Sequence, residues 1–147
     1  MRLRRGESAD IVAVARILGD SYARMPFMPQ LHTHEEDVGY VTGVASTHEI
    51  WIAEDHGRIV GFIILGEDTL LHIHVVPDAQ GRGYGSALFR HAAERRPKGF
   101  TLWTQQQNEA ARRFYESHGC RVVQMTDGAG TEERLPDVQY EWRPTAA

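Results

Sequence analysis

Three glycines stand at alternate positions, Gly81, Gly83 and Gly85, directly after a β-branched stretch that ends VVP. Glycine loses more backbone freedom on folding than any other residue, so such a cluster is costly inside a helix or a strand. The residues that follow, SALFRHAAERR, favour a helix. The segment therefore predicts a strand, a sharp turn and a helix, with the unpaired N–H groups of the first helical turn available to an anion.

Two nucleotide-binding motifs share glycines with this segment, and neither fits it. The phosphate loop of NTPases needs Gly-Lys-Ser or Gly-Lys-Thr, whereas the one lysine of the sequence is Lys98. The dinucleotide motif G-x-G-x-x-G matches Gly81 and Gly83 but meets Ser86 at its third glycine. A tight turn that binds no ligand is the alternative that the glycines alone leave open.

Around this segment, hydrophobic periodicity and turn residues predict helices that interrupt a largely antiparallel sheet. A helix is expected after Ser8 or Asp10, either of which is a suitable cap, and a second helix near Glu35–Ala45. Asp55-His56-Gly57 is a hairpin signal between the β-rich runs IWIAED and RIVGFIIL. The other predicted elements are the strands RLR, TLLHIHVV, GFTLWTQ, CRVVQM and DVQYEW and the helices GSALFRHAAERR and NEAARRFYESHG.

This order of elements predicts an α/β (α+β) fold in three layers. We expect a mixed, mostly antiparallel twisted sheet of about six to seven strands, flanked by about four helices. The 147 residues suit a single domain over 1–147 with a core of its own.

Composition excludes several classes of protein. A net charge of −4 argues against nucleic acid as the partner, because phosphate binding leaves a basic surface. Cys120 is the only cysteine, so an internal disulfide and a cysteine-based zinc site are excluded. Glu7, Asp10 and Arg16 interrupt the apolar N-terminal stretch, so neither a signal peptide nor a membrane partner is predicted. A cytoplasmic protein is the expectation.

The glycine segment and a second segment together resemble the GNAT N-acetyltransferases. Gln80, Gly83 and Gly85 match the family's acetyl-CoA pyrophosphate loop, Q-x-x-G-x-G. NEAARRFYESHG is similar to the family's downstream segment N-x-x-A-x-x-F-Y-x-x-x-G, through Asn108, Ala111, Phe114, Tyr115 and Gly119. The flanking segments MPFMPQLHT and EERLPDVQYEW resemble one common bacterial branch of that family.

The resemblance implies an enzyme that moves an acetyl group from acetyl-CoA to a primary amine by direct attack, on a GNAT-like sheet that splays to admit the cofactor. Val75 would pair its backbone with the pantetheine amides and offer a nearby N–H to the oxyanion. The N–H groups of Arg82–Ser86 would face the pyrophosphate, with added charge from Arg82 and a hydroxyl from Ser86. The residues assigned to the cofactor are Val75, Gln80, Gly81, Arg82, Gly83, Tyr84, Gly85, Ser86, Asn108 and Tyr115.

The second segment carries the predicted general acid. Helical spacing places Ala111, Phe114 and His118 on one face, which predicts Phe114 in the core and Tyr115 at its edge. A tyrosine at such an edge often only packs. The resemblance implies that Tyr115 protonates the departing CoA thiolate. Asn108 is a good helix cap, and the resemblance adds a contact with the cofactor.

A base for the amine is not identified by any single motif. His72 and His74 alternate along TLLHIHVV and therefore share one face of a strand, from which either could act as base or relay. The family often has tyrosine at the position of His74, so no role is carried over there. Glu67, Asp68 and Glu133 are further candidates, and two half-buried, inert histidines are the alternative.

The sequence does not name the acceptor. A small-molecule or peptide amine fits, and the segments Met25–His34 and Thr126–Asp137 are expected to shape its pocket. Family habit makes a homodimer plausible. Two other functions stay open: a catalytically inactive CoA-binding or regulatory module, and a zinc hydrolase that uses His72 and His74. No metal ligand set has signature spacing, so no metal is predicted, and Cys120 is expected to pack rather than react.

Overall fold

The computed structural model describes residues 1–145. Within them lie seven strands and four α-helices, and the predicted mixed, mostly antiparallel fold is confirmed. The strands are β1 (Arg2–Arg5), β2 (Glu49–Asp55), β3 (Arg58–Leu65), β4 (Leu70–Val75), β5 (Phe100–Gln105), β6 (Arg121–Thr126) and β7 (Asp137–Trp142). The helices are α1 (Ile11–Ala23), α2 (His34–Ala45), α3 (Tyr84–Arg95) and α4 (Glu109–Ser117), with short 3-10 turns at Ser8–Asp10 and Pro77–Ala79.

The strands form two antiparallel sheets in the orders β1-β2-β3-β4 and β5-β7-β6. The sheets meet where β4 begins, through a parallel bridge between Thr69 and Thr101, and the Thr101 N–H donates to the Asp68 carbonyl at 2.9 Å. The connection β4–α3–β5 is a strand–helix–strand crossover. Beyond the bridge β4 and β5 separate, so within the described residues one edge of β4 has no partner strand.

Helices cover both faces of the first sheet, and each face has its own apolar core. The faces alternate because successive side chains of a strand point in opposite directions. The core under α1 and α2 contains Val14, Ala15, Leu18, Val41, Ile50, Ile52, Phe62 and Ile64. The core under α3 and α4 continues into the second sheet and includes Ile63, Leu65, Leu88, Phe89, Phe100, Leu102, Tyr115 and Tyr140.

The first residues of α1 and α2 differ from the sequence-based expectation. Ser8 and Asp10 belong to a 3-10 turn that precedes α1, and neither side chain caps α1. The Asp10 carboxylate instead accepts hydrogen bonds from the Glu7 N–H and the Arg4 guanidinium. Helix α2 begins one residue earlier than expected, because Thr33 and Glu36 form a capping box that the sequence analysis missed although T-x-x-E is its signature.

The capping box of α2 is expected to stabilise the protein measurably. The Thr33 hydroxyl accepts from the Glu36 N–H at 3.2 Å, and the Glu36 carboxylate accepts from the Thr33 N–H at 2.9 Å. Thr33→Ala should therefore lower the free energy of unfolding by about 1 kcal/mol in urea denaturation. Thr42→Ala, the same change inside α2, should not destabilise, because alanine is the better helix former. Equal losses in the two variants would contradict the capping role.

Candidate active site

The cleft at the open edge of β4 begins with free backbone groups. The Val76 N–H donates to the Val60 carbonyl at 2.8 Å, so this residue's polar groups face β3. Backbone groups alternate in direction along an antiparallel strand, and those of Val75 therefore face the cleft. The Gln80 side-chain amide donates to the Val75 carbonyl at 3.0 Å, which ties the following turn to the end of the strand.

The three glycines of the turn meet two different requirements. Gly81 and Gly83 have φ values of +79° and +89°, in the left-handed region that side chains disfavour. Gly85 lies in the first turn of α3, and a Cβ there would lie 3.2 Å from the Phe114 ring. Two glycines thus allow the chain to turn, and the third lets α3 approach α4 closely.

These elements enclose a cavity of about 400 Å³ between β4, the glycine turn, α3 and α4. Eight of the residues predicted for the cofactor line it, and His74 lies on its wall as well. The lining consists of Ile73, His74, Val75, Ala79, Gln80, Gly81, Gly83, Tyr84, Gly85, Ser86, Ala110, Ala111, Phe114 and Tyr115. We refer to this cavity as the cofactor cleft.

Arg82 and Asn108 are the two predicted cofactor residues that do not line the cleft. Arg82 is exposed. The Asn108 side chain accepts a hydrogen bond from the Ala111 N–H at 3.2 Å, so its role in this structure is to cap α4. Tyr84 lines the cleft but its hydroxyl is directed to Asp55, whose carboxylate raises the pKa of the phenol.

Tyr115 is more deeply placed than its position in the sequence predicted. Its side chain is 8% exposed, whereas Phe114, expected in the core, is only partly buried. Burial raises the pKa of the Tyr115 phenol above its ordinary value of about 10, so the hydroxyl stays protonated at neutral pH. Within residues 1–145 the hydroxyl has no hydrogen-bond partner, and the side chain faces the cofactor cleft.

A second cavity, of about 460 Å³, is lined by residues of α1, α2, β4 and the segments before α2 and between β6 and β7. We call it the acidic cavity, because four carboxylates line it together with aromatic and imidazole rings. Its lining is Leu18, Tyr22, His32, Glu36, Asp37, Tyr40, His72, Glu132 and Glu133. The segments predicted to shape the acceptor pocket contribute His32, Glu132 and Glu133.

The carboxylates of the acidic cavity are not equivalent. Glu132 and Glu36 lie 2.8 and 3.7 Å from the two ring nitrogens of His32, and the hydrogen bond to Glu132, followed by the charges of both carboxylates, raises the pKa of that imidazole. Asp37 and Glu133 are half-buried, and neither has an ion-pair partner among residues 1–145. Both raise the pKa of the buried Tyr22 phenol, after the larger effect of burial.

His72 and His74 share one face of β4, as predicted, and each lines one of the two cavities. The His72 Nε2 atom is hydrogen-bonded to the Tyr40 hydroxyl at 2.8 Å. The His74 ring packs against Tyr22 and Phe62, with centroids 5.9 and 5.4 Å apart, and has no hydrogen-bond partner in the described chain. Burial lowers the pKa of His72 to about 3 and that of His74 to about 4, so both rings are neutral at physiological pH.

The remaining residues considered from the sequence lie outside the two cavities. Glu67 and Asp68 are exposed in the turn between β3 and β4 and line neither cavity. Cys120 is buried, and burial raises the pKa of its thiol to about 12. Among residues 1–145, no three His, Cys, Asp or Glu side chains converge as metal ligands. No helix in the same residues is long and apolar enough to span a bilayer.

Five residues of the acidic cavity were not assigned to a site from the sequence: Leu18, Tyr22, Glu36, Asp37 and Tyr40. All five come from α1 and α2, and they meet β4 only in the folded chain. Their sequence neighbourhood contains no spacing typical of a binding motif, so no local signal could have identified them. The capping box at Thr33 could have indicated where α2 begins, and hence which face carries Tyr40.

A family model described as the acetyltransferase (GNAT) domain matches residues 46–121. This stretch contains β4, the glycine turn, α3, β5 and α4, and therefore both walls of the cofactor cleft. The chain belongs to the GNAT family of acetyltransferases. The family resemblance inferred from the two segments is confirmed, and the family's cofactor is acetyl-CoA.

Curated relatives within the family carry several activities. The chain is 34% identical to the peptidyl-lysine N-acetyltransferase YiaC of Escherichia coli over 94 residues, which cover 63% of this chain and 62% of that protein. It is 39% identical to the 5-NmdU N-acetyltransferase of Pseudomonas phage PaMx11 over 81 residues, covering 50% and 58% of the two chains. The GNAT chain thus spans only about three-fifths of the length of these relatives.

Solved structures share the whole GNAT architecture. Apo YjaB of Escherichia coli superposes with a TM-score of 0.78 at 22% identity, with 96% of each chain covered. The acetyltransferase yncA of Salmonella typhimurium, solved with its cofactor acetyl-CoA, gives a TM-score of 0.77 at 18% identity, covering 100% of this chain and 96% of that one. At these identities the similarity establishes the fold.

The lowered pKa values of His72 and His74 predict a stability that depends on pH. The ordinary imidazole pKa is about 6.5, so the unfolded chain binds more protons than the folded protein between about pH 6.5 and pH 4. The free energy of unfolding should therefore be greatest above pH 6.5 and fall as pH is lowered, by up to about 1.4 kcal/mol per pH unit for each imidazole.

Urea denaturation at pH 7 and pH 5 measures this loss. His74→Phe, which keeps an aromatic ring against Phe62, should lose less stability between the two pH values than the wild type. His56→Asn is the control, because the side chain of His56 is 94% exposed. Identical pH dependence in wild type and His74→Phe would show that His74 is not the titrating group.

Proposed function

We propose that this protein is an acetyl-CoA-dependent N-acetyltransferase whose acceptor is a primary amine that enters as a cation. The observation that carries the proposal is the junction of the two cavities at β4. His74 lines the cofactor cleft, His72 lines the acidic cavity, and their rings are 5.8 Å apart. A donor in one cavity and an acceptor in the other would meet at this pair.

The residues of the cofactor cleft fit acetyl-CoA, which supplies an acetyl group as a thioester when bound. The N–H groups of the glycine turn and of the first turn of α3 are suited to a pyrophosphate, because helix N-termini attract anions. Val75 offers its N–H at the free edge of β4, where an extended chain of amides can pair as a strand would. The narrow approach of Gly85 to Phe114 shapes the end of the cleft near α4.

Tyr115 is proposed as the general acid that protonates the departing sulfur. Its hydroxyl is held protonated by burial, which a proton donor needs, and no side chain in the described residues competes for its hydrogen. Its position in α4 supports this role, because it lines the cofactor cleft together with Val75 and His74.

The acidic cavity favours an alkylammonium acceptor. Asp37 and Glu133 are two half-buried carboxylates without a cation partner among residues 1–145, and a bound ammonium would supply one. Relatives named as peptidyl-lysine N-acetyltransferases support a lysine side chain as this amine. Tyr22 borders both this cavity and His74, so an alkyl chain passing it would reach the cofactor cleft.

For the proton released from the attacking amine, His74 is proposed ahead of His72. Both rings are neutral and therefore have a lone pair, but Nε2 of His72 is already engaged with Tyr40. Glu133 is proposed to hold the incoming ammonium. The homodimer and the cytoplasmic location expected from the sequence are carried forward as predictions.

Tyr115→Phe tests the general acid. The substitution keeps the ring in the cleft wall and removes the donor, so kcat should fall on the order of 10²-fold, the lower range for general acid catalysis, since a thiolate is a fair leaving group. The dissociation constant for CoA, measured by calorimetry, should stay unchanged. Undiminished thiol release in this variant would remove Tyr115 from the chemistry.

Thiol release from acetyl-CoA with matched acceptors tests the proposed substrate class. The panel consists of a peptide with a blocked N-terminus and one lysine, the same peptide with norleucine, the norleucine peptide with a free α-amine, and spermidine. We expect turnover with the lysine peptide. Glu133→Gln should raise the KM for this amine about tenfold, as expected for one charge-assisted contact, and leave the KM for acetyl-CoA unchanged.

Glu67→Gln is the matched control, because Glu67 is exposed and lines neither cavity. Turnover confined to the α-amine would reject the lysine class. Tight CoA binding without thiol release from any acceptor would instead support the inactive CoA-binding module that the sequence left open.

A further inference from the structure

His118 connects the two helices that form the walls of the cofactor cleft. It follows α4 directly, and its ring lies between Phe114 of α4 and Phe89 of α3, with centroid distances of 4.3 and 5.0 Å. Its Nδ1 atom is 2.8 Å from the Phe114 carbonyl oxygen, and its Nε2 atom is 2.9 Å from the Ser86 hydroxyl. The ring therefore has polar contacts at both nitrogens.

The chemistry of these partners assigns the hydrogens. A carbonyl oxygen only accepts, so Nδ1 carries a hydrogen and donates it to Phe114. In the neutral ring Nε2 is then an acceptor, and the Ser86 hydroxyl donates to it. A serine hydroxyl has one hydrogen, and Ser86 uses it on His118 rather than on a ligand in the cleft. The donors left for a pyrophosphate within the first turn of α3 are the backbone N–H groups.

The contact between Ser86 and His118 joins the two helical walls of the cofactor cleft. Ser86 is in the first turn of α3, whose N–H groups face the cleft, while α4 carries Tyr115 on the opposite wall. Among residues 1–145, the Ser86–His118 contact is the one side-chain hydrogen bond that joins α3 to α4. It fixes the first turn of α3 relative to the helix that carries the proposed acid.

We propose that His118 is a positioning residue for acetyl-CoA, which acts through Ser86 by holding the phosphate-facing turn of α3 at a set distance from α4. The inference rests on the placement of the cofactor in this cleft. It assigns Ser86 a role different from the direct phosphate contact expected from the sequence, since the hydroxyl serves the protein framework.

Calorimetric titration with CoA tests the proposal in Ser86→Ala, His118→Leu, the double variant and His118→Gln. Loss of one partly buried hydrogen bond should raise the dissociation constant about threefold to tenfold in each of the first two. The double variant should be no worse than either single variant, because both remove the same contact. His118→Gln, whose amide oxygen can accept from Ser86, should restore affinity close to that of the wild type.

Ser46→Ala is the matched control, since that hydroxyl donates to the Gly43 carbonyl at the exposed end of α2, outside the cofactor cleft, and its removal should leave CoA affinity unchanged. If Ser86→Ala weakened CoA binding and His118→Leu left it unchanged, Ser86 would contact the cofactor directly and the proposal would be overturned. Additive losses in the double variant would overturn it as well. Ser86→Ala removes only a hydroxyl, so it tests the contact even if His118→Leu fails to fold.

Binding of CoA requires no acetyl transfer, so this experiment is independent of the acceptor. Intact CoA binding without turnover would count against the proposed enzyme but leave the role of His118 standing. Wild-type affinity in all four variants would remove His118 from cofactor positioning whatever the activity.

Discussion

The separation of β4 from β5 after the bridge between Thr69 and Thr101 is the constraint on which the site depends. Two strands that continued to pair would use the backbone groups of β4 on each other. Once they diverge, the N–H and C=O of Val75 face a cleft, and buried backbone groups need partners. One partner is the Gln80 side chain, and the remaining capacity is available to an extended ligand. The cofactor cleft thus occupies the place that a further strand paired with β4 would take, and α3 and α4 enclose it.

The two halves of the site have different origins in the chain. The cofactor cleft is built from β4, the glycine turn, α3 and α4, which follow one another with only β5 between the two helices. The acidic cavity collects side chains from α1, α2, β4 and the segment between β6 and β7, which are distant in the chain. Strand β4 belongs to both halves, through His74 in the cofactor cleft and His72 in the acidic cavity.

This division explains what the sequence could predict. The glycines, Gln80 and the segment from Asn108 to Tyr115 lie close together in the chain, so their spacing was informative about the cofactor and the fold. Tyr22 and Tyr40 contact His74 and His72 only in the folded protein, and no periodic pattern in the sequence indicates these contacts. The relative burial of Phe114 and Tyr115 was also inaccessible, because helical spacing identifies a face but not which of its edges meets the second sheet. The contact of Ser86 with His118 spans 32 residues and is equally invisible in the sequence.

The contact between His32 and Glu132 has a consequence for access to the acidic cavity. It joins the segment between α1 and α2 to the segment between β6 and β7, and both side chains are about half exposed. Solvent-exposed ion pairs contribute little to stability, so water can replace this one with almost no loss. The contact therefore holds two lining segments of the acidic cavity together only weakly. For the proposed amine acceptor, selection would fall to the half-buried carboxylates Asp37 and Glu133 rather than to this exposed pair.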